Sequence, residues 1–288
     1  MSERTAIVID GSSAMSDEVQ RDFGFHLLPV HVLFGDEDFT PGVNMTPAEF
    51  YAKLASSKTP PTTAAPSLGE CVEIYQTLVR EGFRSILVIT VINEASVTHT
   101  VAKTAAQQVS GASIEVVDSR TTAGGITLIA TACARMLRDE RGFDAAVALA
   151  RRLAGRVQIL ALIDTLEYLR RGGRVSGAQA AFGALLSIKP IVEVKDGDRV
   201  LIDKVRTRER GVERLKQLIE ERVAPGSRIH ACAMHTNHPE RAHVLGEWVQ
   251  QRFHCVEYWT AEAGPIIGTH TGPGIAGLCW YREEDARA

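Results

Sequence analysis

The sequence predicts a two-domain α/β protein, in which an N-terminal parallel, doubly wound sheet packs against a C-terminal α/β domain. With 288 residues, the chain is long for a single hydrophobic core. Short apolar runs alternate with helical segments through residues 5–118, as in folds whose parallel strands are joined by helices. A second series of strands and helices begins at about residue 157. We therefore expect domains of residues 1–157 and 158–288.

In the first domain, apolar runs rich in β-branched residues mark the strands. Strands are expected at 5–9, 27–34, 86–91 and 114–117. Helices are expected at 46–54, 67–81, 98–109, 121–138 and 143–155. Thr46 and Ser67 are suited to N-capping, and Pro29 places the second strand near an edge or a strand start. The stretch 60–66, rich in proline and hydroxyl residues, predicts a loop.

The second domain is expected to open with an apolar strand at 157–163. The later elements are a strand pair at 191–194 and 200–204 joined by a turn at 196–198, a helix at 208–222, a strand at 229–234 and a helix at 239–253. The glycine-rich segment 264–274 is expected to be a loop. It lacks the Gly-Lys-Ser/Thr ending of a phosphate-binding loop, so we do not expect it to bind a nucleotide. Without a low-complexity linker, the two domains should pack closely.

Composition excludes several classes of partner. A net charge of −3 gives no electrostatic attraction to nucleic acid or to an anionic membrane, and 45% hydrophobic residues is ordinary for a globular protein. Five scattered cysteines without CxxC spacing are typical of buried thiols in a reducing cytoplasm. No apolar run approaches the ~20 residues that a bilayer crossing needs. We expect a cytoplasmic protein that is neither exported nor integral to a membrane.

Two loops are expected to meet at one edge of the first sheet. Residues 62–67 and 93–100 belong to consecutive βα units, and ligands of parallel sheets bind beyond the carboxyl ends of the strands. The hydroxyls of Thr63 and Ser96, beside a helix N-terminus, would form a neutral cradle for a carboxylate. An alternative is that these loops only cap helices, with Ser67 capping one and Ser96 or Thr98 the next.

A basic helix end followed by two glycines and an arginine presents a cation, Arg174, at a fixed place. This segment, together with several other motifs, resembles the DegV family, and the resemblance extends over essentially the whole chain. The motifs that carry it are the segments 165–176 and 186–191, Ile9-Asp10, Val117-Asp118-Ser119, the segment 203–206 and the closing glycine-rich segment.

The resemblance implies a DegV-type (EDD-like) fold and a protein that is not itself an enzyme. Members of the family bind one fatty acid in a buried tunnel and present its carboxyl group to a separate ATP-dependent fatty acid kinase, and the acyl phosphate serves phospholipid synthesis. No cofactor is implied. An acid of about C14–C18 is implied as ligand, and burying roughly fifteen methylenes would gain on the order of 10 kcal/mol before ordering costs.

The family pattern carries site roles to four positions of this chain. Thr63 and Ser96 would hold the carboxyl group, His270 would lie near the headgroup from the second domain, and Arg174 would lie beside it. The chain departs from the pattern nearby. Gly11 replaces Ser, Ala64-Ala65 replace Ser-Gln, Ile92-Asn93 replace a Ser pair, and Val97 replaces the Gly that follows the key Ser.

Two functions other than fatty acid binding are compatible with the sequence. Likeness to dihydroxyacetone kinase-type domains suggests a small-molecule phosphotransferase or phosphocarrier, although fold alone is a weak guide to activity. A lipid-responsive regulatory sensor is a further alternative. The histidines at 230, 235, 238 and 243 lack metal-ligand spacing, so we expect no zinc site. Asp10 has no second acid near it in the sequence and is expected to cap its βα turn.

Overall fold

The computed structural model describes residues 4–174, 188–195 and 198–287. Part of the segment 165–176, residues 186–187 and part of the expected turn at 196–198 lie outside the described residues. The strands are β1 (Thr5–Asp10), β2 (His26–Leu28), β3 (His31–Phe34), β4 (Glu37–Phe39), β5 (Thr62–Ala64), β6 (Ser85–Thr90), β7 (Ser113–Asp118), β8 (Gln158–Leu162), β9 (Lys189–Lys195), β10 (Asp198–Val205), β11 (Arg228–His235), β12 (His254–Glu262) and β13 (Ala276–Arg282). The helices are α1 (Asp17–Phe23), α2 (Pro47–Ser56), α3 (Leu68–Arg80), α4 (Thr98–Ala106), α5 (Gly124–Arg138), α6 (Phe143–Leu153), α7 (Glu167–Arg171), α8 (Arg208–Glu220), α9 (Pro239–Arg252), α10 (Gly264–Thr271) and α11 (Glu283–Ala286).

The first sheet is parallel and has helices on both faces, so the predicted doubly wound architecture is confirmed. Its strand order is β2-β1-β6-β7. Along β1, Ala6 and Val8 pack with α3 and α4, whereas Ile7 and Ile9 pack with α5 and α6. Because both faces are covered, β6 is buried along its whole length, which is why it reads as a continuous apolar run.

Two expectations in this region were wrong. The strand expected at 27–34 is two strands in different sheets, β2 in the parallel sheet and β3 in a small antiparallel sheet of order β4-β3-β5. Pro29 separates them, because proline has no N–H to donate to a ladder. The loop expected at 60–66 contains β5, whose Thr63 pairs with Val32 of β3. Residues 62–64 form a strand because their backbone pairs with β3, which the composition of the segment does not predict.

A six-stranded mixed sheet forms the second half of the molecule, with strand order β10-β9-β8-β13-β11-β12. Only the β11–β12 pair is parallel among its described pairs. Strand β13, close to the C-terminus, lies between β8 and β11 in the middle of the sheet. Neither β12 nor β13 was among the strands predicted from the sequence.

The loop predicted at the glycine-rich segment 264–274 was wrong, because most of this segment forms helix α10. Pro265 stands in the first turn of α10, and Gly272 ends the helix with a φ of 71°. Ile266 and Thr269 are buried in between. The glycines therefore act at the helix ends and at close contacts, where glycine is favoured.

Helix α5 lies between the two large sheets, and residues 124–134 of it are all buried. One hydrophobic cluster contains Ile9 and Ile89 of the first sheet, Ile126 of α5, and Ile159 and Cys279 of the second sheet. The two sheets thus share a core, and a division at residues 157/158 stays a prediction. Among the described residues, no helix combines the length and the apolar character needed to cross a bilayer.

Candidate functional site

A cavity of about 570 Å³ lies where the carboxyl ends of β1 and β6 face the six-stranded sheet. This volume is within the ~300–1,000 Å³ usual for ligand pockets. Its apolar wall comes from both halves of the molecule and includes Val30, Val91, Ile159, Ile163, Val192 and Ile266. All four residues expected at the site, Thr63, Ser96, Arg174 and His270, also line the cavity.

Thr63 and His270 are joined directly, although 207 positions separate them in the chain. Thr63 Oγ1 of β5 is 2.9 Å from His270 Nε2 of α10. The other ring nitrogen, Nδ1, is buried and has no hydrogen-bond partner among the described residues. Burial, reinforced by the charges of Arg174 and Arg199, lowers the pKa of His270 to about 4. The imidazole is therefore neutral near pH 7, with one nitrogen able to donate a hydrogen bond and the other able to accept one.

Ser96 lies two residues before the start of α4, in the loop that follows β6. Its hydroxyl accepts a hydrogen bond from the backbone N–H of Thr98 at 3.3 Å and is 2.8 Å from the hydroxyl of Thr98. Ser96 therefore stabilises the start of the helix and lines the cavity at the same time. The capping expected for Ser67 is present too, since its hydroxyl accepts from the N–H of Glu70 at 3.2 Å.

Arg174 follows the two glycines after α7, as the sequence reading expected. Its Nη1 donates to the carbonyl oxygen of Gly172 at 2.6 Å, which folds the guanidinium back over the turn. A second guanidinium, that of Arg199 on β10, also lines the cavity. Sequence reasoning missed Arg199, because nothing in a short edge-strand pattern shows which charged side chain faces a cavity. Neither arginine forms an ion pair with a carboxylate of the described residues.

Asp10 is fully buried at the end of β1 and lines the cavity. Its Oδ1 accepts hydrogen bonds from the N–H of Ser12 at 2.8 Å and from the hydroxyl of Ser12 at 2.7 Å. Its Oδ2 accepts from the N–H of Val91 at 3.1 Å. Burial raises the pKa of Asp10, and these hydrogen bonds partly oppose that shift. The side chain caps the βα turn, as expected, and also ties β1 to the end of β6.

The four histidines between 230 and 243 do not gather around a common point. His230 contacts Glu257, His235 contacts Glu262, and His238 contacts Glu240. Within the described ranges, no three His, Cys, Asp or Glu side chains form a group that could hold a metal ion.

The whole chain was compared with known protein families. A family model described as "Uncharacterised protein, DegV family" matches residues 4–283. The chain belongs to the DegV family. A DegV domain-containing protein of Halalkalibacterium halodurans is 31% identical over 281 residues, which cover 98% of this chain and 99% of the relative.

Crystal structures of DegV proteins have the same fold. DegV of Bacillus subtilis, described as a fatty acid binding protein, matches with a TM-score of 0.88 and 27% identity over 98% of this chain and 100% of that chain. A DegV family protein of Thermus thermophilus, described for its fatty acid binding, matches with a TM-score of 0.89 and 26% identity over 97% and 99% of the two chains. The resemblance to the DegV family and the DegV-type fold are thus confirmed.

Four of the six departures from the DegV pattern line the cavity, and Gly11 and Ile92 do not. Ala64, Ala65 and Asn93 all line it, which removes hydroxyl and amide groups from one loop and adds an amide to the other. Val97 stands where the family pattern has a glycine, and the residue is 63% exposed. The additional bulk of Val97 is therefore accommodated at the surface, and the cavity reaches the surface beside Ser96.

Proposed function

We propose that this protein binds one long-chain fatty acid, with the tail in the cavity and the carboxylate beside Thr63, Ser96, His270 and Arg174. The observation that carries the proposal is the make-up of this cavity. An apolar wall runs from the first sheet to the second, and the polar groups include a hydrogen-bonded Thr63–His270 pair beside two arginines. Fatty acid binding described for the DegV proteins of B. subtilis and T. thermophilus supports the same ligand class.

Energetics favour an amphiphile with one anionic end. Each buried methylene gains ~0.8 kcal/mol, so a tail of about fifteen methylenes gains on the order of 10 kcal/mol before ordering costs. A carboxylate removed from water offsets much of this gain unless it is hydrogen-bonded. The Thr63 and Ser96 hydroxyls, a neutral imidazole and a guanidinium are donors that would compensate for the lost hydration.

We further propose that the protein presents the carboxyl group to a separate ATP-dependent kinase in the cytoplasm, for acyl phosphate formation and phospholipid synthesis, and does not itself catalyse phosphoryl transfer. Exposed Val97 and Glu94 flank the Ser96 end of the cavity, which leaves that end near the surface. A second enzyme could reach a carboxyl group held there. The alternatives remain a phosphotransferase and a lipid-responsive sensor.

Organic extraction of the purified protein followed by mass spectrometry tests the ligand class. We expect about one fatty acid per chain, because an apolar cavity of this size favours an apolar guest and host cells supply such acids. The delipidated protein should then bind palmitate in a titration. Recovery of only a nucleotide or a sugar phosphate, with no palmitate binding, would exclude the proposal and favour the phosphotransferase.

A further inference from the structure

Arg199 occupies a position at the cavity that the family pattern and the sequence reading leave without a role. It lies on the edge strand β10 of the six-stranded sheet, and its side chain is half-buried. Its Nε donates a hydrogen bond of 2.6 Å to the carbonyl oxygen of Arg174. The Arg199 side chain therefore holds the Gly-Gly-Arg turn by a hydrogen bond and also lines the cavity.

Charges of both signs surround Arg199 at this end of the cavity. Burial lowers the pKa of Arg199, Arg174 lowers it further, and Asp198 and Glu94 act in the opposite direction. Guanidinium groups remain protonated in proteins, so both arginines stay cationic. No carboxylate of the described residues lies within ion-pair distance of Arg199. A half-buried cation without a close counter-ion is stabilised by an anionic ligand.

We propose that Arg199 is a second cationic residue of the headgroup site, which holds the Arg174 turn in place and makes the cavity selective for anionic over neutral amphiphiles. This inference rests on the proposed fatty acid binding. The turn that carries Arg174 lies against the His270 ring at Gly172, and Arg199 is connected to Arg174 by its hydrogen bond. Its charge acts on the ligand carboxylate, and its Nε–H positions the neighbouring cation.

Two ligands with the same tail separate charge recognition from simple packing. Palmitate carries a carboxylate, and hexadecan-1-ol is its neutral counterpart. In Arg199→Met, we expect the affinity for palmitate to fall about tenfold or more, the usual effect of losing an interaction with a charged group. The affinity for hexadecan-1-ol should stay within about twofold, because the tail contacts are retained. Arg199→Lys keeps the charge and should preserve most of the palmitate preference.

Lys204→Met is the matched control, since Lys204 is an exposed cation on the same strand that does not line the cavity. It should leave the affinities for both ligands unchanged. An independent readout is the NMR titration of the His270 imidazole in delipidated protein. Within the described residues, the charged groups that act on this ring are Arg174 and Arg199. Removing the charge of Arg199 should therefore raise the pKa of His270, whereas a purely structural role would not require this.

The outcomes distinguish this inference from the function on which it rests. If the parent protein binds neither ligand, the proposed fatty acid binding is wrong. If the parent binds palmitate but Arg199→Met leaves the palmitate-to-hexadecanol affinity ratio or the pKa of His270 unchanged, the role of Arg199 is wrong while fatty acid binding stands. The inference is supported if Arg199→Met lowers the palmitate-to-hexadecanol affinity ratio and raises the pKa of His270. Arg199→Lys and Lys204→Met should keep the parental affinity ratio.

Discussion

The Thr63–His270 pair shows how single residues can produce a site that no short segment contains. Thr63 is held by the pairing of β5 with β3, and His270 by helix α10. Because burial keeps the imidazole neutral, it adds a hydrogen-bonding group beside the two guanidinium groups without adding a third positive charge. The candidate site thus combines hydrogen-bonding groups with two guanidinium groups, which are the groups that the proposed carboxylate ligand requires.

At this same scale, Ser96→Ala should weaken fatty acid binding more than it weakens folding. Losing a hydrogen bond to a charged group costs roughly 1.5–3 kcal/mol, about 10- to 150-fold in affinity. Thr63→Val should act in the same direction and also removes the partner of His270. Palmitate titration of delipidated protein measures the first effect, and thermal melts of the same samples measure the second.

Thr104→Val provides a control for these hydroxyl variants. Thr104 is exposed on α4, and its hydroxyl bonds only to the carbonyl of Thr100 among the described partners. It should bind palmitate as the parent does. If Ser96→Ala and Thr63→Val also bound with parental affinity, the carboxylate would have to be held elsewhere.

At the scale of elements, the turn after α7 and helix α10 approach closely because glycines stand at the contacts. A Cβ added to Gly172 would overlap the ring of His270, and one added to Gly272 would overlap the ring of Tyr168. Gly172 itself has a φ of −75°, which any residue can adopt. The requirement for glycine at this position is therefore one of space and not of backbone conformation.

Gly172→Ala should consequently reduce palmitate affinity by displacing His270 or the Arg174 turn. Gly69→Ala is the matched control, because a Cβ there meets nothing within 4 Å. Gly69 lies in helix α3, where alanine is favoured over glycine by about 1 kcal/mol. The measurement is palmitate titration of both variants, with circular dichroism to confirm folding. Parental affinity in a folded Gly172→Ala protein would show that this contact does not position the headgroup site.

At the scale of the whole molecule, the cavity lies between two sheets that already share a core through α5. A ligand that contacts both sheets should stabilise the native state by mass action. At a free palmitate concentration of about 100 times Kd the gain is ~2.7 kcal/mol. For a chain of this size, that corresponds to a rise in Tm of roughly 4–5 °C.

The measurement is calorimetry of delipidated protein with and without palmitate. Butyrate has the same carboxylate and almost no tail, so at the same concentration it should leave the Tm nearly unchanged. An equal rise with both acids would place the stabilisation at the headgroup alone, and the absence of a rise with palmitate would contradict binding in the shared cavity.

Local sequence signals were sufficient to predict those elements whose structure depends mainly on their own residues. The buried run at β6, the capping residues before α2 and α3, and the glycine pair before Arg174 each act through neighbours in the chain. The family motifs extended this local reading to Thr63, Ser96 and His270. The motifs can locate these residues because each motif keeps its own spacing along the chain, even when the residues it contacts in the fold are distant in sequence.

Tertiary structure alone decided the features that depend on distant pairing. Strand β5 is ordered by β3, the C-terminal strand β13 enters the middle of its sheet, and the glycine-rich segment becomes α10 because its buried face packs against other elements. Arg199 faces the cavity only because the β9–β10 pair lies at the edge of the same sheet as β8. Hydrophobic periodicity reports which face of an element is buried but not which element covers it. The sequence by itself therefore determined the fold class and four residues of the candidate site, and only long-range packing determined the cavity and the second cation that lines it.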